Sequence, residues 1–308
     1  LINYLINFLH DILKAKWNLK KFNLNNYDLI IDNTIFNFKE LRKSKKTFLV
    51  LHTSLECLNN PIKTFSKSKN LFQFVFEYLL YVFKIKWLKL SLSHKTYQNI
   101  VVASEQAKNY IEKTKGLLKS KVYLIPNGVS NEYFKNNYNP NNGIVSILRF
   151  DNISKNLVFL NELSANLNNK INIYGFGKDQ HMLKNVIMHG KISTRKEIFE
   201  ILQKYSLFIM TSNVEGGSPY TVIESLSVGI PVIIRDSFLG ASSLVIDGYN
   251  GLIFDKNVSP KEIAHEIKKL LKNKNKLLEM SKNSITHFNK NFSIENFNNN
   301  WKKIIESL

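Results

Sequence analysis

The chain has 308 residues, 44% hydrophobic and 12% aromatic, enough apolar matter for about two domain cores, so global disorder is excluded. The one cysteine, Cys57, excludes an intrachain disulfide framework and a Cys-rich zinc site. The formal charge is +19, but only Arg42, Arg149, Arg195 and Arg235 are arginines; lysine lacks the planar fork that reads phosphate and guanine, and no nucleic-acid partner is expected.

Residues 1–9 are apolar, but no basic region precedes them and Asp11 and Lys14 follow, so they do not read as an export signal. The chain does not begin with Met, and its numbering is expected to start inside a longer protein or on a reduced first domain. Strands are predicted over 28–31, 47–51, 100–103 and 122–125, with helices over 70–90 and 105–114. The run 71–83, LFQFVFEYLLYVF, contains Glu77 and falls short of the roughly 20 residues a spanning helix needs. It reads as a buried aromatic helix; Lys84, Lys86 and Lys89 around Trp87 give a second reading, peripheral docking on an anionic membrane. The polar stretch NNYNPNNG over 136–143 reads as a linker. Beyond it, strands are predicted over 144–148, 171–174, 186–188, 207–211 and 231–234, and helices over 156–167, 195–204, 219–228, 260–271 and 294–305. Such alternation predicts an α/β chain with parallel sheets. The expected division is an acceptor-side domain over 1–138, a donor-side domain over 139–290, and a closing helix over 291–308 that packs back on the first domain.

The chemistry concentrates in TSNVEGGSPYTVIESLSVGIP, 211–231. Ser218 is a strong N-cap and Pro219 suits the first helical position, so a helix is expected to begin at Pro219. Gly229 falls where a left-handed cap is needed, with Pro231 just beyond. Glycines ahead of a helix start leave backbone N–H groups and a positive dipole end free, which suits a diphosphate. Glu215 in the approach loop and Glu224 within the helix place carboxylates suited to sugar and ribose hydroxyls. The plainer reading is a capped helix with two solvated glutamates, but capping alone requires no glycine pair behind a carboxylate.

This segment resembles the C-terminal signature of the GT-B retaining glycosyltransferases grouped as family 4 (glycosyl transferases group 1): Glu, seven residues, Glu, then a small-residue helix ending in Gly-x-Pro. IPNGVSNEYF (125–134), VVASEQAKNYI (101–111), ILRFDNISKN (147–156), IYGFGKD (173–179) and LVIDGYNGLIF (244–254) are similar to further family segments in the same order. Here eight residues separate Glu215 from Glu224, so Gly216 competes for the usual glutamate place. Leu148 replaces a glycine before Arg149, Lys155 comes one residue late, and the family's first strand with its Gly-rich loop has no counterpart.

The resemblance implies a GT-B-like fold, two Rossmann-like doubly wound domains facing a central cleft, and sugar transfer from a nucleoside diphosphate with retained configuration. The donor, a UDP- or GDP-sugar, takes the place of a cofactor. Expected donor-binding residues are Arg149, Lys155, Glu224, Gly175, Gly216, Gly217, Ser218, Tyr220 and Thr221, with Glu215 accepting from the donor sugar. His52 follows the strand 47–51 at a carboxyl end facing the cleft, where imidazole can orient or deprotonate an acceptor hydroxyl; the alternative is a loop histidine without a role. His181 and His189 read as structural. The sequence has no Asp-x-Asp, Walker loop, HExxH or Gly-x-Ser-x-Gly, and no metal is expected. Expected acceptors are a cell-surface glycan, a lipid-linked sugar or a protein, met on the cytoplasmic side. The alternatives are a catalytically degenerate scaffold and a GT-B-fold sugar-nucleotide epimerase.

Overall fold

The computed structural model describes residues 26, 29–33, 47–51, 99–113, 121–130, 132, 138–213, 215, 217–236 and 243–307. The helix expected over 70–90, with its membrane reading, lies outside the described residues, as do His52 and Gly216. Among the described residues, no helix is long and apolar enough to cross a membrane.

The first sheet is parallel, in the order β1 (Ile30–Asp32), β2 (Thr47–Leu51), β3 (Asn99–Val102), β4 (Lys121–Leu124). Ser104 ends β3 and starts α1 (Glu105–Lys113) by accepting the Ala107 N–H at 3.2 Å.

The second sheet is built from β5 (Ile144–Ile147), β6 (Asn172–Tyr174), β7 (Ile187–Met188), β8 (Leu207–Met210), β9 (Val232–Asp236) and β10 (Gly251–Asp255). Its order is β10-β9-β8-β5-β6-β7, parallel throughout. This is the Rossmann winding: the chain moves outward from β5 to β7, then returns to lay β8 on the other side of β5. The order therefore reverses between β5 and β8, and ligands bind in the crevice beyond the carboxyl ends of strands at such a switch point.

Helices α2 (Asn152–Lys155), α3 (Leu157–Ala165), α4 (Arg195–Leu202), α5 (Tyr220–Ser227), α6 (Pro260–Lys272), α7 (Lys274–Asn291) and α8 (Ile294–Glu306) complete the chain. Strand residues alternate between two cores. Val145, Phe208, Met210, Val232 and Ile234 pack with Phe199, Ile223, Leu226 and Phe288. Ile144, Leu207, Ile209 and Ile233 face the other way, onto Leu157, Leu160, Ile263 and Ile267. Period-two alternation buried on both faces is what a central parallel sheet requires. Capping boxes fix two helix starts, Thr194 with Glu197 at α4 and Ser259 with Glu262 at α6.

The sequence reading did not predict β10, α2 or α7. It also misplaced the start of α5, which begins at Tyr220 with Pro219 in extended conformation at the N-cap. Gly229 does adopt the left-handed conformation, φ 76°.

Two crossings join the sheets. Tyr138, in the predicted linker, donates its hydroxyl to Ser206 O at 2.9 Å and is pinned to the second sheet's side. After α7 the chain returns: Val129 N–H donates to Phe292 O and Ile294 N–H to Val129 O, each at 3.0 Å. Helix α8 then lies on the first sheet, with Phe297, Trp301 and Ile304 against Phe48, Val101 and Ile125. The Trp301 ring meets Phe48 edge-on at 5.9 Å.

Candidate active site

A cleft of about 830 Å³ opens at the switch point, lined by the loops after β5, β6 and β8, the start of α4, the start of α5, and Asn127 from the first sheet's side. Among its described lining residues, Arg149, Lys155, Lys191 and Arg195 stand against the single carboxylate of Glu215. Such an excess of cations favours an anionic ligand.

Backbone contacts shape the β5 loop. Leu148 N–H donates to Tyr174 O at 3.0 Å and Phe150 N–H to Phe176 O at 2.7 Å, so the 148–150 strand end runs against the Gly175-Phe176-Gly177 turn. A Cβ at Gly175 would stand 1.8 Å from Leu148 O, and the residue has φ 148°. Only glycine lets these two backbones approach, so the Gly-x-Gly pair positions the loop that carries Arg149. The Arg149 side chain is 66% exposed, with Asp151 Oδ2 3.7 Å away. Asp151 is anchored by the Ser154 hydroxyl at 2.8 Å.

Lys155, at the end of α2, forms an ion pair with Glu215 Oε1, and both side chains are largely buried. Ser212 donates its hydroxyl to the same oxygen at 2.6 Å. The β8 loop is laced to α2 besides: Asn213 N–H donates to Ser154 O at 2.7 Å and the Thr211 hydroxyl to Lys155 O at 3.3 Å. Despite the extra residue in the spacing, the Glu215 carboxylate thus reaches the cleft and holds Lys155.

Glu224 is in the opposite state. It is only 4% exposed on α5. Arg195 Nε lies 3.7 Å from its Oε1, while its Oε2 is buried and has no hydrogen-bond partner among the described residues. Burial raises its pKa above the ordinary 4.5, and Arg195 pulls it back down. A buried carboxylate oxygen without a donor is costly, and hydroxyl donors of a ligand would relieve that cost. The sequence reading had noted Arg195 only as one of four arginines; its position at the start of an amphipathic helix gave no sign that its side chain would span to α5.

The start of α5 faces the cleft. Pro219, Tyr220 and Thr221 line it, no side chain caps it, and among the described residues no acceptor is bonded to the Tyr220 or Thr221 N–H. Ser218, expected to cap this helix, is engaged elsewhere: its hydroxyl accepts the Asn127 N–H at 3.2 Å, and its carbonyl accepts Asn127 Nδ2 at 2.6 Å. Gly217 lies against the first domain, since a Cβ there would stand 2.9 Å from Ser104 Oγ. The cleft therefore gathers Arg149, Lys155, Gly175, Glu215, Ser218, Tyr220 and Thr221, with Glu224 behind Arg195. His189 stacks on Tyr174 at 4.5 Å and bonds Asn172 at 2.8 Å, outside the cleft lining. Among the described residues, no cluster of three His, Cys, Asp or Glu side chains stands where it could hold a metal ion.

Residues 160–287, from α3 to α7, match the family described as glycosyl transferases group 1. Over those residues the chain is similar to that family. Over 142 residues it is 34% identical to an uncharacterised glycosyltransferase of Methanocaldococcus jannaschii, covering 44% of this chain and 34% of that protein. It is 30% identical over 142 residues to the poly(glycerol-phosphate) alpha-glucosyltransferase of Bacillus subtilis, covering 43% of this chain and 20% of that protein. The chain thus spans about a third and a fifth of these two relatives. The crystal structure of Anabaena HepE in complex with UDP superposes with a TM-score of 0.71 at 16% identity, covering 96% of this chain and 82% of that one. That likeness extends the shared fold across both sheets.

Proposed function

We propose that the chain transfers a sugar from a nucleoside-diphosphate sugar to a hydroxyl acceptor, with retention of anomeric configuration and without a metal. The observation that carries this reading is the buried, unpartnered Oε2 of Glu224 on the same helix whose uncapped start faces a cation-lined cleft at the switch point. A hydroxyl acceptor and diphosphate donors are thereby carried on one helix, as a nucleoside diphosphate requires.

Each residue then has a task. The two ribose hydroxyls donate to Glu224. The leaving diphosphate gains negative charge as the glycosidic bond breaks, and Arg149, Lys155 and the Tyr220 and Thr221 N–H groups stabilise that charge more than the ground state's. Lys155 and Ser212 both engage Oε1 of Glu215, which leaves Oε2 to accept from a hydroxyl of the donor sugar. His52 orients or deprotonates the acceptor hydroxyl. UDP is favoured over GDP as the donor base by the UDP named with HepE. Retention is favoured by the alpha-transfer named for the Bacillus relative. The acceptor in this reading is a glycan, a lipid-linked sugar or a protein, met on the cytoplasmic side, peripheral to the membrane.

The test is incubation with UDP- and GDP-sugars in EDTA, reading nucleoside-diphosphate release together with the product anomer by proton NMR. An α donor giving an α product in EDTA is expected. A β product would overturn retention, and no release from any donor with any acceptor class would overturn transfer.

A further inference from the structure

The start of α5 is not where its own sequence would put it. Ser-Pro is a strong N-cap and first-turn pair, and with Ser218 as the cap its carbonyl would accept the Val222 N–H while its hydroxyl accepted from Tyr220 or Thr221. Instead Asn127 takes both groups. Its side-chain amide donates to the Ser218 carbonyl at 2.6 Å, and its backbone N–H donates to the Ser218 hydroxyl at 3.2 Å. Val222 and Ile223 are left to donate to Pro219 O, at 3.2 and 3.4 Å. The helix starts one residue late, and the N–H groups of Tyr220 and Thr221 stand at the cleft without an acceptor among the described residues.

We infer that Asn127 is a positioning residue of the donor site, which holds Ser218 off α5 so that two backbone donors stay free for the diphosphate. Asn127 stands in the loop after β4 and lines the cleft from the first domain's side. A residue 91 positions away thus decides whether the second domain's anion site is open. That these donors serve a ligand is supported independently by the orphan Oε2 of Glu224, itself nine-tenths buried on the same helix. The inference rests on the donor-site reading above, and it makes the site dependent on contact between the two domains.

The decisive measurement is amide hydrogen exchange at Tyr220 and Thr221 in the full, unliganded chain, which needs no knowledge of the nucleotide. In the wild type both amides are expected to exchange rapidly. In Asn127→Ala the side-chain bond to the Ser218 carbonyl is lost, Ser218 recaps the helix, and the amide its hydroxyl accepts from, Tyr220 or Thr221, slows by about tenfold or more. In Asn127→Ala with Ser218→Ala that amide becomes rapid again, a reversal that simple loss of packing cannot produce. Should Asn127→Ala not fold, Asn127→Ser removes the same amide donor with less change in volume. Unchanged exchange in the single variant, or no reversal in the double, overturns the inference. A parallel titration with UDP and inorganic pyrophosphate should show affinity falling about tenfold in Asn127→Ala, as expected for one lost hydrogen bond to a charged group. If the wild type binds neither probe while the exchange pattern holds, the donor-site reading fails and the control of α5 by Asn127 stands.

Discussion

Glu215 and Glu224 sit nine residues apart, on either side of the same turn, in opposite surroundings. Glu215 is in the loop after β8, satisfied by Lys155 and Ser212. Glu224 is inside α5, with Arg195 near one oxygen and, among the described residues, no hydrogen-bond donor on the other. The first makes its contacts through Oε1 and organises the loop; the second keeps a buried oxygen without a donor among the described residues, which in the proposed function a ligand's hydroxyls fill. The comparison separates a carboxylate whose contacts shape the cleft from one that the proposed function reserves for its occupant.

The largest effect is expected at Glu215. Glu215→Ala leaves the mostly buried Lys155 without its partner and should cost about 3 kcal/mol in urea unfolding, as for other broken buried pairs. Lys155→Met combined with Glu215→Gln should cost far less than the sum of the single changes.

Glu224 should behave the other way. Glu224→Ala is expected to weaken nucleoside-diphosphate binding by about 2 kcal/mol in calorimetry, the loss of hydrogen bonds to a charged acceptor. Its raised pKa fixes the sign of the pH effect: a carboxyl that holds its proton more tightly when folded stabilises the fold at low pH. That contribution is lost as the pH rises from about 4.5 through the raised folded value. Glu224→Gln should therefore match the wild type below pH 4.5 and exceed it in stability above that window, read from melts across pH.

Arg195→Ala should give a smaller change, about 1 kcal/mol, because its side chain is 47% exposed and its Nε stands 3.7 Å from the buried Glu224 carboxylate. It removes the influence that lowers the Glu224 pKa, so the pH window of lost stability should extend upward. The smallest stability effect is expected at Arg149, whose side chain is 66% exposed. Arg149→Ala should leave unfolding within about 0.5 kcal/mol of the wild type while nucleotide affinity falls, a split that sets it with Glu224 rather than Glu215.

Much of this was legible in the sequence where local rules dominate. The alternation of apolar strand runs with helices, the helices read over 195–204 and 260–271, and the left-handed Gly229 each follow from near neighbours. Helix α7 was not legible because its buried face uses Ser281 and Ser284 alongside Leu277, Met280 and Phe288. Those serines allow close approach to α5: Ser281 Oγ would stand 2.9 Å from a Cβ at Gly229. Ser284 meets its own hydrogen-bonding needs by donating to Met280 O at 2.8 Å. A hydrophobic pattern cannot show a face built on small polar residues. The start of α5 was misread for a different reason, since a tertiary partner outbid a strong local cap. Arg195 escaped notice because its contact with Glu224 exists only after α4 and α5 pack.

The central claim is that Glu224 awaits the hydroxyls of a nucleoside diphosphate, and a thermal-shift panel tests it most directly. UDP, GDP, ADP and CDP would be run against the wild type and Glu224→Ala, with EDTA and with magnesium. At about 100 times its dissociation constant, a true ligand stabilises by about 2.7 kcal/mol. The account predicts that one nucleotide, UDP first, raises the wild-type Tm equally in EDTA and magnesium and shifts Glu224→Ala little. A flat panel over a cooperative melt, or an equal shift in the variant, would contradict it.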